Sequence, residues 1–179
     1  MNVVAYTLLL ALVGVERIAE LVVSRRHLVW ARRRGGTEYG SGHYPWMVAA
    51  HVGLLGGALL EAWLLGRPFI PFLGWPMLGL AVLAQGLRWW CIATLGKQWN
   101  IRVIIVPNLP LVNEGPYRWL RHPNYVAVVV EGIALPLVHT CWLTASLFTV
   151  VNLALLRTRV KVENAALAQA SDTGRARRC

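Results

Sequence analysis

The chemistry in this chain concentrates in Gly115-Pro116-Tyr117-Arg118-Trp119-Leu120-Arg121-His122-Pro123-Asn124-Tyr125, set directly before a long apolar run. Polar, conformationally restricted clusters at membrane depth are costly and mark function more often than packing. Gly115-Pro116 is a turn signal. Pro123 biases His122 away from helical geometry and suits the first turn of the helix that follows. The N-terminus of that helix, beside Arg118, Arg121 and His122, would offer free backbone N–H groups and positive charge to a carboxylate or another anion. His122 can donate a hydrogen bond or relay a proton, and Tyr125 presents a hydroxyl on an aromatic plate.

A second polar cluster lies downstream, Arg157-Thr158-Arg159-Val160-Lys161-Val162-Glu163. In a helix, Arg159 and Glu163 fall one turn apart and can pair. Between the clusters runs Val126 to Leu156, apolar almost throughout but interrupted by Glu131, Pro136 and His139. That length is awkward for one membrane span and short for two, each of which needs roughly 20 residues. A short helical hairpin over residues 125–156, turning near Pro136 to Thr140, resolves the conflict. It also returns Arg159 and Glu163 to the neighbourhood of Tyr125, so that two polar clusters face one pocket at the membrane edge.

The elements that must hold this pocket are membrane helices. Only 15% of the 179 residues are charged, against about 25% in a soluble domain, and the apolar residues come in long runs. The net charge of +10 does not point to nucleic acid. Its cations gather between the apolar runs, at Arg25, Arg26, Arg32 to Arg34, Lys97 to Arg121, Arg157 to Lys161 and Arg175 to Arg178. Cytoplasmic loops carry charge in that way, and anionic lipid headgroups attract it.

Spans are expected at about Val3 to Val23, Tyr44 to Leu65 and Phe69 to Trp90, the last bent or started late around Pro71 and Pro76. The predicted fold is all-α and integral to the membrane. It has about five helical segments, three spans plus the C-terminal hairpin, with the pocket on the cytoplasmic face. The charge rule puts the N-terminus outside and the C-terminus inside. Residues 1–179 read as a single domain, with 1–91 the three-span half and 92–179 the interfacial catalytic half. The N-terminus reads as a retained anchor, having no basic n-region or small-residue cleavage site.

Two readings stand for Glu16, Arg17 and Glu20 in the first span: snorkelling to the interface, or a polar seam facing the bundle. The glycine-rich Gly35 to Gly42 run lacks a preceding strand and a following Lys-Ser/Thr, so a mobile interfacial loop is expected rather than a phosphate cradle. Gly53 and Gly57 have the spacing for close helix contact. Cys91, Cys141 and Cys179 form no metal-ligand or disulfide pattern, and Cys179 does not occupy a prenylation position.

At Gly115-Pro116-Tyr117, Arg121-His122-Pro123-Asn124-Tyr125, Glu131 and the Arg159 to Glu163 segment with Leu167, the chain resembles the isoprenylcysteine carboxyl methyltransferase family of integral membrane enzymes. The resemblance implies S-adenosylmethionine as cofactor, bound at the cytoplasmic interface without a Rossmann fold. Tyr117, His122, Pro123 and Tyr125 would line that site, with Arg159 and Glu163 closing it. The acceptor would be lipophilic and would arrive from the bilayer among membrane lipids.

In the first half, Glu16-Arg17-Ile18-Ala19-Glu20-Leu21, Ser24-Arg25-Arg26 and the Gly36 to His51 region are similar to a bacterial branch of the family. Members of that branch methylate long-chain alkylpyrones and are linked to type III polyketide synthases. A polyketide synthase as pathway partner and the bacterial inner membrane as location follow from that likeness. Asn164 departs from the family, which commonly has a second acidic residue there, and the short stretch from Leu167 to Cys179 leaves open whether the full C-terminal lid of longer members forms.

A carboxylate or acidic enol is already ionised near neutral pH, so an O-methyltransferase of this kind needs alignment and water exclusion rather than a strong base. Arg121 or Arg88 could orient that anion. The competing readings are a prenylcysteine-type carboxyl methyltransferase, a membrane reductase using a nicotinamide cofactor, and a small non-enzymatic membrane protein.

Overall fold

A computed structural model describes residues 1–107, 109–110 and 112–176, with the backbone alone at residue 43 and residues 169–176. Arg177, Arg178 and Cys179 lie outside the described residues. Five α-helices carry the fold: α1 (Val3–Arg32), α2 (Tyr44–Leu64), α3 (Pro71–Leu95), α4 (Pro123–Leu137) and α5 (Trp142–Ala176). Two short strands, β1 (Thr37–Tyr39) and β2 (Val103–Ile105), pair antiparallel.

By length and apolarity α2, α3 and α5 can each cross a bilayer. At about 1.5 Å per residue, the 21 residues of α2 match a hydrocarbon core of roughly 30 Å. Helix α1 carries more charge, yet Val4, Leu8, Leu12, Val15, Ile18 and Val22 form an exposed apolar stripe along one face of it. Spacing of three and four residues makes that stripe a lipid-facing surface. Glu16, Arg17 and Glu20 point the other way, into the bundle.

The centre of the bundle is α4. Ala127, Val128, Glu131, Ala134 and Leu135 on this helix are all buried. At Gly132 the missing side chain leaves room for the Phe148 ring of α5. The Tyr6 hydroxyl of α1 donates to the Leu135 carbonyl at 3.1 Å. The turn after α4 places Thr140 at φ 53° and docks on the α2–α3 connection. There the Thr140 hydroxyl donates to the Pro68 carbonyl at 2.9 Å, and His139 Nδ1 lies 3.0 Å from the Arg67 carbonyl. Glu61 of α2 caps α5 from outside its own chain segment, accepting the Thr144 N–H at 2.8 Å and the Leu143 N–H at 3.2 Å. A carboxylate at a helix N-terminus satisfies orphan donors and complements the helix dipole.

Several expectations change. The hairpin is not short: its tip reaches the far end of the bundle, and α5 continues as one helix well past Leu156. Helix α1 also extends beyond Val23 to Arg32. The glycine-rich segment is no free loop, because Thr37, Glu38 and Tyr39 pair with Ile105, Ile104 and Val103. Of the Gly53 and Gly57 pair in α2, Gly57 meets Thr144 of α5 closely, whereas Gly53 faces open space.

Candidate functional site

The C-terminal ends of α1 and α3, the N-termini of α2 and α4, and the later part of α5 converge at one end of the bundle. His122 occupies the position before α4 with φ −135° and ψ 61°, and Pro123 follows as the first helical residue. Proline tolerates that position because its missing N–H would have no partner there. Tyr125 then projects from the first turn toward α5. The backbone N–H groups of Tyr125 and Val126 both donate back to the His122 carbonyl, at 3.1 and 3.4 Å. The helix start is therefore less open to an anion than the sequence implied.

The Tyr125 hydroxyl joins the two polar clusters. It accepts from Arg159 Nε at 2.8 Å and donates to the Glu163 carboxylate. Among the described residues, Arg159 and Glu163 thus meet through this hydroxyl rather than by a direct ion pair. His122 stacks on the Tyr125 ring, with centroids 5.1 Å apart and planes inclined by 16°. Its Nδ1 lies 3.7 Å from a Glu163 oxygen. The Arg159 guanidinium sits 5.3 Å over the same ring and is 6% exposed.

Residues far away in sequence hold this arginine in place. Arg159 Nη1 lies 3.3 Å from Met47 Sδ of α2, and Nη2 is 3.5 Å from the Asn100 carbonyl. Asn100 is itself pinned to α1: its Nδ2 donates to the Ser24 carbonyl at 3.1 Å, and the Ser24 hydroxyl donates to its Oδ1 at 2.8 Å. The β1–β2 ribbon beyond it rests on α5. Glu38 locks the ribbon by accepting from Arg102 at 2.7 Å and from Arg32 at 3.1 Å. Burial alone would raise the Glu38 carboxyl, but the hydrogen bonds and charges of Arg102 and Arg32 outweigh it and hold it below the usual carboxylate range.

Tyr117 approaches from the 3₁₀ turn Gly115–Arg118, which packs against the end of α3. Burial first, and the neighbouring Cys91 thiol second, push its hydroxyl above its ordinary value. Pro123 is fully buried and serves as scaffold.

The two arginine candidates separate. Arg121 is exposed and makes no ion pair or hydrogen bond with a described residue. Arg88 is 4% exposed, and its guanidinium lies inside the bundle, on Glu131 at 2.8 Å and Glu20 at 3.5 Å. Arg17 completes that network with Glu20 at 2.8 Å, Gln85 at 2.8 Å and Glu131 at 3.5 Å. The first-span charges thus form the inward seam and do not snorkel. A buried guanidinium shared by two carboxylates keys together the helices that carry them.

Sequence reasoning missed Ser24, Met47 and Asn100, which steady Arg159 through contacts between residues 59 or more positions apart in the chain. Neither periodicity nor local motif carries such pairings. Asn100 beside the aromatic Trp99 in a basic interfacial stretch was the one visible hint.

A groove of about 600 Å³ opens beside the cluster, between α4 and α5. His122 and Tyr125 stand at one end of it, and Val130 and Leu153 line the other. Among the described residues no group of three or more His, Cys, Asp or Glu side chains is arranged to hold a metal.

Residues 77–169 match the model of the "Isoprenylcysteine carboxyl methyltransferase (ICMT) family". That stretch runs from within α3 through both polar clusters. Relatives are similar along most of their length. The "Uncharacterized protein YpbQ" of Bacillus subtilis (strain 168) is 33% identical over 167 residues, covering 93% of this chain and 98% of its own. An "Uncharacterized protein" of Haemophilus influenzae (strain ATCC 51907 / DSM 11121 / KW20 / Rd) is 27% identical over 154 residues, covering 84% and 88%.

Proposed function

The chain belongs to the isoprenylcysteine carboxyl methyltransferase family of membrane methyltransferases, and from that premise we propose that it methylates an oxygen of a lipophilic acid or acidic enol. The methyl donor in this reading is S-adenosylmethionine, and an alkylpyrone-like polyketide is the favoured acceptor. The observation that carries the proposal is the Tyr125 hydroxyl held between Arg159 and Glu163, with His122 stacked against its ring.

The donor set fits such a cofactor. S-adenosylmethionine carries a carboxylate, an amino group and an aromatic base, and the cluster offers a guanidinium, a carboxylate, an imidazole and aromatic faces. Asn124 Oδ1, in the first turn of α4, is a buried acceptor with no partner among the described residues, and it suits an N–H of the ligand. Tyr117, His122, Pro123, Tyr125, Arg159 and Glu163 would form the binding site. When bound, S-adenosylmethionine supplies a methyl group that its sulfonium has already activated.

The chain's own contribution is alignment and dryness. Arg121, adjacent to His122 and without a partner among the described residues, orients the acceptor anion by charge and paired hydrogen bonds. The stacked His122 and Tyr125 wall keeps water from the reacting oxygen, and alignment of this sort is a large term in a bimolecular transfer. An ionised acceptor gives up no proton, so no residue is assigned as base.

The site end of the bundle holds Arg25, Arg26, Lys97, Arg102, Arg118, Arg121, Arg157 and Lys161, whereas Arg67 is the charged residue of the α2–α3 turn. The positive-inside bias then supports a cytoplasmic site in a bacterial inner membrane, with the N-terminus outside and the C-terminus inside. A C-terminal reporter that proved periplasmic would overturn that orientation.

Purified protein given methyl-labelled S-adenosylmethionine and a panel of prenylcysteines, fatty acids and alkylpyrones tests the function. Label should pass to an acid or enol and should stay on the cofactor with neutral lipids. Transfer confined to prenylcysteines would replace the favoured acceptor; no binding of the cofactor at all would remove the reading.

A further inference from the structure

The end of the bundle away from the polar cluster holds a second cavity, of about 360 Å³. Helix α4 separates the two ends, and its 15 residues span about 22 Å at the helical rise. Four separate stretches of chain build the cavity. Val3 comes from the start of α1, Trp63 from the end of α2, Arg67 and Phe69 from the α2–α3 connection, and His139 from the hairpin tip. Trp63 and Trp75 are exposed at this end, as tryptophans are where a bilayer meets water.

His139 is 3% exposed and firmly held. Its ring stacks on Tyr6 with centroids 4.8 Å apart, and the Phe69 ring lies 5.9 Å away. Its Nδ1 is 3.0 Å from the Arg67 carbonyl. A carbonyl only accepts, so Nδ1 carries the proton, and the neutral ring keeps its lone pair on Nε2. That Nε2 is buried without a partner among the described residues, a costly arrangement for a strong acceptor.

Beside it, Arg67 gives Nε and Nη2 to one Glu61 oxygen, at 2.9 and 2.8 Å. Its Nη1 makes no hydrogen bond with a described residue. Glu61 has no room for a further donor, because its oxygens also accept from the Leu143 N–H, the Thr144 N–H and the Thr144 hydroxyl. The cavity therefore offers one acceptor, one cationic donor and aromatic walls, and no open carboxylate.

We propose that this cavity binds the headgroup of an anionic phospholipid carrying a hydroxyl, of the phosphatidylglycerol class, in the leaflet away from the polar cluster. The phosphodiester lies against Arg67, a headgroup hydroxyl donates to His139 Nε2, and the acyl chains stay in the bilayer. An ethanolamine head would bring three donors to a single acceptor and set its ammonium beside a guanidinium. A choline head would bring no donor. A hydroxyl matches one donor to one acceptor, and Arg67 answers the phosphate charge. A lipid is the occupant because the cavity sits at headgroup depth, between exposed tryptophans. Bound there, it would fasten the hairpin tip to the α2–α3 connection, on which His139 and Thr140 already dock. None of this draws on the methyl-transfer reading or on its residues.

The test observes His139 itself. The full chain, isotopically labelled at its histidine ring nitrogens, is placed in phosphatidylcholine nanodiscs in which a minor fraction of the lipid is replaced by a probe lipid. Phosphatidylglycerol should move the Nε2 resonance of one histidine away from that of a free lone pair. His139→Asn, whose amide can still donate to the Arg67 carbonyl, should delete that resonance and so identify it. Phosphatidylethanolamine, and phosphatidylmethanol as an anionic phosphodiester without a hydroxyl, should need about tenfold more lipid for the same shift. Val3→Trp, which crowds the cavity from the start of α1, should remove the response while the His27 and His122 resonances stay in place.

A His139 resonance that ignores phosphatidylglycerol overturns the proposal. An equal response to phosphatidylmethanol or phosphatidylethanolamine does so too, since the hydroxyl would then not be read. An equal response to soluble glycerol phosphate in plain phosphatidylcholine would make the occupant a free phosphate ester and overturn the lipid assignment. A response that survives Val3→Trp intact would show that the lipid acts from elsewhere than this cavity.

Discussion

Arg88 of α3 donates to Glu131 of α4 across 2.8 Å, with each side chain 5% exposed. The pair sits in the middle of the α3–α4 packing, and Arg17 and Glu20 of α1 join it. Three helices are thereby keyed to one another beneath the site. Charges withdrawn from water and lipid persist only when paired and hydrogen-bonded. The network therefore sets the depth and rotation of α4, and through α4 the position of His122 and Tyr125.

Removing one partner of that pair should be costly. Arg88→Met leaves Glu131 and Glu20 with Arg17 as their remaining arginine, and stability should fall by about 3 kcal/mol. Arg88→Met together with Glu131→Met should recover much of the loss. Thermal unfolding in detergent, comparing both singles with the double, reads this directly; simple additivity of the two losses would argue against a coupled network.

Tyr125→Phe keeps the ring on which His122 stacks but deletes the hydroxyl between Arg159 and Glu163. Cofactor affinity should drop about tenfold with little change in melting temperature. Equilibrium binding of labelled S-adenosylmethionine beside a melting curve separates these outcomes. Unaltered affinity would show that the hydroxyl does not organise the pocket.

The ribbon should respond to acid. Its Glu38 carboxyl is held below its unfolded value by Arg102 and Arg32. A depressed carboxylate contributes stability that is present above its unfolded pKa and lost as pH falls through the folded one. Hydrogen exchange at the amides of β1 and β2, corrected for intrinsic rate, should accelerate below the ordinary carboxylate range. Glu38→Gln should exchange fast already at neutral pH, and pH-independent protection would contradict the assignment.

Gly115 holds φ at 53°, and a Cβ there would meet Thr94 Oγ1 at 2.6 Å. Gly115→Ala should cost about 2 kcal/mol from the left-handed backbone and that contact together. Because the same turn carries Tyr117 to Cys91, the variant should also weaken cofactor binding. Double substitution with Thr94→Ala should relieve the steric part alone, which a melting-temperature series would detect.

What the sequence revealed follows from how local its signals were. His122-Pro123, with proline fitting the first turn of a helix, announced the start of α4. The apolar run to Leu156 announced a hairpin, and Arg159 and Glu163 came back to Tyr125 as its geometry required. The charges of Glu16, Arg17 and Glu20 were ambiguous because a snorkelling residue and a seam residue read alike in one dimension. Pairing with Arg88 and Glu131 decided the matter. The ribbon escaped notice because its strands have three residues each, too few for an alternating pattern, and are far apart in the chain. The surroundings of Arg88 escaped notice because sequence shows that an arginine is present but not which carboxylates face it, here Glu131 and Glu20.

The most direct test is methyl transfer by the purified wild-type chain in proteoliposomes, from labelled S-adenosylmethionine to a long-chain acid or alkylpyrone, beside folded His122→Ala and Glu163→Gln variants. The account predicts labelled ester or ether from the wild type and none above background from either variant, with cofactor binding lost in both. Full transfer by variants lacking His122 or Glu163, or a wild type that never binds S-adenosylmethionine, would contradict it.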